Sequence, residues 1–191
     1  MKRSLRLHLA LAFLLCLTAG DSVAQASADS LQRKVDYLIA NGQKRTPDPR
    51  PTVLTDQEVD AYMNSGRLKV PPGISDIHLT TTVGEAVGNA KVDFDKLTAD
   101  VRKTNPLWEL FSGVHDVKVR CGVWGKDGMG NVHVQNVWLD DHEIPRVALE
   151  FFLEHYIKPK VPQASLDSRF KMPARIQTAI ITRGKTTLYQ K

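Results

Sequence analysis

Cysteine is nearly absent: the chain holds two, Cys16 and Cys121, and Cys16 falls within an N-terminal leader. A lone thiol cannot close an internal disulfide, so the fold must stand on packing alone. Catalytic signatures are missing too. There is no Gly-x-Ser-x-Gly, no His-Glu-x-x-His, no Walker-type phosphate loop and no dinucleotide fingerprint. Beyond residue 26 no run is apolar enough to span a bilayer. Neither sign of charge dominates, since 26 basic and 21 acidic residues alternate along the chain. That suits a solvated surface, whereas a nucleic-acid partner wants a clustered basic stripe. The expectation is a protein that is no enzyme, with no cofactor, no metal site and no nucleic-acid partner.

What is present begins with a leader. Lys2, Arg3 and Arg6 precede an apolar run over residues 9–19, and Ala24-Gln25-Ala26 forms a small-x-small cleavage site. Together these read as a secretory signal peptide over residues 1–26. Leu15 stands where a lipoprotein signal wants a small residue before Cys16. The mature chain is then expected outside the cytoplasm, in the periplasm or cell envelope, without a transmembrane segment. Residues 27–50 read as a helix over 28–42, with Leu31, Val35, Leu38 and Ile39 on one side, followed by a Pro-rich linker over 43–51. Residues 51–191 read as a single domain.

Within that domain, Thr55 and Glu58 spell a capping box, and Leu54 and Val59 sit at hydrophobic-staple positions, so a short helix is predicted before Gly66. Residues 74–83 alternate, with Ile77, Leu79 and Val83 facing one way. A turn over 85–89 leads into a strand that points Val92 and Phe94 inward. Residues 97–103 suggest a short helix, and Trp108, Leu110 and Phe111 an apolar cluster. Val117, Val119, Cys121 and Val123 share the face opposite Lys118, Arg120 and Trp124. The turn Lys126–Gly130 sends a strand back, and its apolar period slips between Val134 and Val137 as a bulge would produce. Strands over 169–172, 175–183 and 185–190 close the chain, the last two joined at Arg183-Gly184.

Residues 143–158, EIPRVALEFFLEHYIK, carry the densest apolar surface. On a helix, Arg146, Glu150, Glu154 and Lys158 form one stripe. Ile144, Ala148, Leu149, Phe151, Phe152, Leu153, His155 and Tyr156 then fill an arc roughly 200° wide, about twice that of a surface helix. The predicted fold class is therefore α+β: a curved antiparallel sheet wrapped around one long apolar helix, with shorter flanking helices. The preceding Asp140-Asp141-His142-Glu143 is read as capping that helix rather than as a metal site. His78, His115 and His133 are read as surface histidines, and His155 as a core histidine or a polar contact to a ligand. Cys121 is read as a small buried hydrophobe.

Three segments resemble a known family. Leu54 to Tyr62 (LTDQEVDAY), Val137-Trp138-Leu139 running through Ile144-Pro145 into the long helix, and Met172-Pro173-Ala174-Arg175-Ile176 leading to Gly184 are similar to small exported tubular lipid-binding (TULIP-like) proteins. The resemblance implies a curved sheet around a helix, with an apolar slot for acyl chains between them. Ligand-lining residues would be Phe151, Phe152, His155 and Tyr156 from the helix, with Ile77, Leu79, Val92, Phe94, Val117, Val119, Val132 and Val134 from the sheet. The expected partner is a lipid or other hydrophobic small molecule. The competing expectation is an envelope protein–protein interaction module with a closed dry core and no ligand.

Overall fold

The computed structural model describes residues 3–97, 112–159, 162 and 164–191, with side chains from residue 22 onward, that of Tyr156 excepted. The expected helix beyond Leu97 and the cluster of Trp108, Leu110 and Phe111 lie outside the described residues. The chain opens with helix α1, Arg3–Gly42. Ala28, Leu31, Leu38 and Asn41 are buried at spacings of three and seven residues, one face of a helix, while Ser22 through Ala26 are exposed. Ile39, expected beside Leu38, is 49% exposed because one step round a helix turns it away from the stripe. Gly42 ends the helix against Ala174, where a Cβ would lie 2.4 Å from the Ala174 carbonyl oxygen. No other residue fits that approach without moving the backbone.

Strand β1, Thr52–Thr55, was not foreseen. It runs straight into helix α2, Asp56–Asn64, whose capping box forms as the sequence predicts: Thr55 accepts from the Glu58 amide and Glu58 accepts from the Thr55 amide. Strands β2 (Ile74–Thr82) and β3 (Glu85–Asp93) follow as a hairpin. The turn is two residues, Val83 and Gly84, not the stretch 85–89. Val83 consequently sits at its tip, 81% exposed, rather than inward. A bulge between Ser75 and His78, with Asp76 at φ 50°, breaks the register of β2. Phe94 opens a single helical turn, α3 (Phe94–Leu97).

Strands β4 (Val114–Lys126) and β5 (Met129–Leu139) form the longest hairpin. Asp127 and Gly128 make its two-residue turn at φ 54° and 76°, the left-handed pair that such a tight connection requires. The foreseen slip is present: Cys121 pairs with Val134 but Arg120 with Asn136, leaving Gln135 as the extra residue. Short β6 (His142–Glu143), helix α4 (Arg146–Phe152), a π turn (Leu153–Ile157), β7 (Asp167–Lys171), β8 (Ile176–Thr182) and β9 (Lys185–Gln190) complete the chain.

Among the described residues, nine strands form one antiparallel sheet, ordered β1-β9-β8-β4-β3-β2, with β5 on the other side of β4 and β6 and β7 on β5. The sheet curls into a half-barrel. Strands β3 and β8 share one edge of β4 end to end: Glu85 pairs with Gly122, and Ala179 with Gly125.

The expectation of a sheet wrapped around one long apolar helix is overturned. Residues 143–158 yield only a seven-residue α4 and a π turn, and α4 has no buried residue. Its N-cap is Pro145, with no side-chain cap, and the Lys158 amide reaches back five residues to Leu153. Among the described side chains of α4 and the π turn, only Ala148, Leu149 and Phe152 pack on the sheet core; Val147 is 74% exposed. The wide apolar arc is partly spent locally, since Phe151 and His155 stack on each other at 4.1 Å. Arg146–Glu150 and Lys158–Glu154 ion pairs hold the remaining side to solvent.

Candidate functional site

Side chains on β3, β4 and β5 alternate between two faces. The inner face, covered by the helices, centres on buried Val92, Phe94, Val137, Leu139 and Ile144. Against them pack half-buried Ala90, Val117, Val119, Val134, Leu149 and Phe152. Six of the expected ligand-lining residues therefore meet in one cluster: Val92, Phe94, Val117, Val119, Val134 and Phe152. Phe152 stands edge-on to Phe94 with ring centroids 5.7 Å apart, an arrangement that favours both rings.

The others are placed elsewhere. Ile77 lines a separate groove, and Leu79 lies on β2 beside α2. Val132 pairs with Val123 and Ser168. His155, expected in an apolar arc, is exposed and bonded through Nδ1 to the Phe151 carbonyl, because its segment never reaches the core. The side chain of Tyr156 lies outside the described residues.

Beside the inner cluster, a cavity of about 310 Å³ opens between α4 and β5. It is lined by Val134, Ile144, Pro145, Leu149 and Leu166 together with Gln135, Glu143 and Arg146. A larger open groove of about 1390 Å³ runs between the α1 residues 23–28, α2 and the start of β2. Neither cavity is lined by Phe151 or Phe152.

Helix α2 covers the free edge of β2, a role the sequence reading missed. The Thr81 amide donates to Asp56 at 2.7 Å, the Leu79 amide to Asp60 at 2.6 Å and the Ile77 amide to Asn64 at 3.0 Å. Four helical residues advance about 6 Å, and two strand residues about 6.7 Å. Acceptors at i, i+4 and i+8 thus match alternate edge amides. The signal was legible as Asp56-x-x-x-Asp60-x-x-x-Asn64, but only a helix known to lie along a strand gives that spacing meaning. The device occupies donors that would otherwise recruit another strand.

Glu58 ties α2 to α1. Its carboxylate, 9% exposed by residue, accepts from Ser30 Oγ at 2.6 Å, from Lys34 Nζ at 2.6 and 2.7 Å, and from the Thr55 amide at 2.9 Å. Burial alone would raise its pKa, yet the Lys34 ammonium, the Ser30 hydroxyl and the Thr55 donors together bring it down to about 2. A second polar link is buried: Asn41, fully enclosed, donates to Gln190 Oε1 at 2.8 Å and to the Asp48 carbonyl at 3.0 Å, and accepts from the Asp48 amide at 2.9 Å.

The acidic run before α4 is not a helix cap. Asp140 and Asp141 form the β5–β6 turn at φ 45° and 64°, a conformation aspartate tolerates. Four more residues, His142, Glu143, Ile144 and Pro145, separate this turn from the start of α4. Asp140 instead accepts from the Asp116 amide at 2.9 Å and bonds His115 Nδ1 at 2.6 Å. The Asp140 carboxylate raises the His115 pKa, and His115 in turn lowers that of Asp140. His78 and His133 lie at the surface beside Asp60 and Asp167. Burial pushes the half-buried Cys121 thiol up, away from a reactive thiolate.

Among the described residues, no group of three or more His, Cys, Asp or Glu side chains is placed to hold a metal ion. No family model, curated protein or solved structure matches this chain. Among the described residues, too, no helix is long and apolar enough to cross a membrane. The site must therefore be judged on its own geometry.

Proposed function

We propose that the protein is an exported, non-enzymatic component of the cell envelope or periplasm that holds or passes a lipid-like hydrophobic ligand. The observation that carries this reading is the cavity beside α4. Apolar and polar residues line it together, and its volume of about 310 Å³ is at the lower end of the range for ligand sites. It adjoins an inner face on which Val117, Val119 and Val134 stay half-buried, so an alkyl chain entering beside Leu149 would cover more of that face. Each methylene buried there is worth about 0.8 kcal/mol. The exposed polar side chains of Glu143 and Arg146 suit a headgroup left at the opening.

Export has its own support. The described side chains of α1 are exposed through Ala26, and burial starts at Ser27 and Ala28, where the small-x-small site would release the mature chain. The resemblance of three segments to tubular lipid-binding proteins points the same way, without the central helix that it implied.

Native mass spectrometry of protein purified gently from exporting cells tests the reading. A lipid-sized adduct that disappears in Leu149→Glu, with far-UV circular dichroism unchanged, is the expected outcome. A homogeneous ligand-free mass, with nothing in the solvent extract, removes the carrier idea. The second reading, an envelope interaction module acting through an edge strand, draws on β1, which ends the sheet opposite the edge that α2 covers. Pull-down from envelope extracts that yields a stoichiometric partner alongside a lipid-free mass favours it.

A further inference from the structure

We infer that the sheet face turned away from the helices is a docking surface for an anionic lipid membrane. Trp124 projects from it, 52% exposed, its ring leaning over Gly122. Gly125 pairs with Ala179 across the β4–β8 boundary, which sets Ile180, 45% exposed, beside Trp124 on the same face. On the other side, Trp124 pairs with Asn131, and Asn131 with Arg169. Lys126 pairs with Met129, and Met129 with Lys171. Arg120, two residues before Gly122, completes the surround. All four cations are exposed.

Among the described residues, no carboxylate forms an ion pair with Arg120, Lys126, Arg169 or Lys171. Two acids share this face. Asp167 is held by Arg146 and His133, and Glu85 lies across from Gly122 on β3. The arrangement is an exposed indole and an isoleucine ringed by cations without a carboxylate partner, of which Arg120 also lies over the Trp138 ring, 5.5 Å from its centroid. Tryptophan settles at headgroup depth, where its ring is in hydrocarbon and its N–H in water. Basic residues near an anionic leaflet each strengthen binding about fivefold. A soluble polyanion would engage the cations equally well but would leave Trp124 and Ile180 in water, so the apolar centre favours a lipid surface. This inference does not rest on the ligand reading: a protein with an empty cavity could dock in the same way.

Flotation of the full chain with phosphatidylcholine vesicles, with and without phosphatidylglycerol, tests it. Comparing the two vesicle types, and variants that share one N-terminus, cancels any contribution of residues 1–26. Binding is expected to require phosphatidylglycerol and to weaken with salt. The Arg169→Gln/Lys171→Gln double variant should lower the apparent partition about 30-fold. Vesicles with brominated acyl chains should quench tryptophan emission in the wild type, and the quenching should largely vanish in Trp124→Phe. Equal flotation of wild type and double variant overturns the inference, as does quenching in Trp124→Phe equal to that of the wild type. Retention on an anionic polysaccharide without vesicle binding overturns it as well. The substituted side chains are exposed, and unchanged circular dichroism confirms that the variants fold.

Discussion

Glu58 is the point at which α1 can be loosened by removing one charge. Glu58→Gln keeps the shape, and glutamine still serves the capping box, so the change isolates the ion pair with Lys34. Unfolded, the carboxyl titrates near 4.5; in the fold it titrates at about 2. That depression corresponds to roughly 3 kcal/mol. The Lys34 side chain is 31% exposed, so solvent screening reduces the figure to about 2 kcal/mol. Because the folded pKa is the lower one, this stability is fully present above pH 4.5. It is lost as pH falls from 4.5 through about 2. Urea unfolding at neutral pH should show the variant about 2 kcal/mol less stable, or about 5 °C lower in Tm. The gap should close as the pH nears 2. In a double-mutant cycle, Lys34→Met should cost little once Glu58→Gln is present. Equal stability at neutral pH, or a gap that persists undiminished at low pH, would refute the account of Glu58 as a charged tie.

Asp60→Ala frees the Leu79 amide on the β2 edge. Urea unfolding should register a loss of about 1–2 kcal/mol, and size-exclusion chromatography should show concentration-dependent association as the edge becomes available. Asn41→Ala strands the Asp48 amide and the Gln190 side chain in a buried site, so a loss of about 3 kcal/mol is expected from denaturant midpoints. Phe94→Ala should cost about 3–5 kcal/mol, whereas Val147→Asp, one turn from the core face of α4, should stay within about 0.5 kcal/mol. A severe effect of Val147→Asp would mean that α4 is enclosed after all.

The sequence disclosed what is decided locally. The capping box of α2, the Asp127-Gly128 turn, the bulge before Val137 and the closing hairpin at Arg183-Gly184 each depend on residues a few places apart. The inner-face positions Val92, Phe94, Val117, Val119 and Val134 were legible for a similar reason, since a strand alternates wherever its partner lies. What failed needed distant partners. β1 is four residues that become a strand only by pairing with β9. The turn at Val83-Gly84 is fixed by the full length of β3 along β4. Residues 143–158 have the composition of a gripped helix, but nothing near them in sequence says how many sides the sheet will present. The cations around Trp124 come from β4 and β7, so their convergence appears only once register is known.

The end-to-end sharing of β4 by two hairpins has a mechanical consequence. Between Gly122 and Gly125 neither β3 nor β8 supplies a partner, and the Val123 amide donates instead to the Gly84 carbonyl at 2.9 Å. The two turn glycines knit the gap, Gly84 bonding Ile181 and Gly184 bonding Thr81. The half-barrel is thus a pair of flaps stitched to a common spine at a seam a few bonds wide. Pulled or warmed, the flaps should part along that line once α2, which leaves β1 and bonds the edge of β2, lets go.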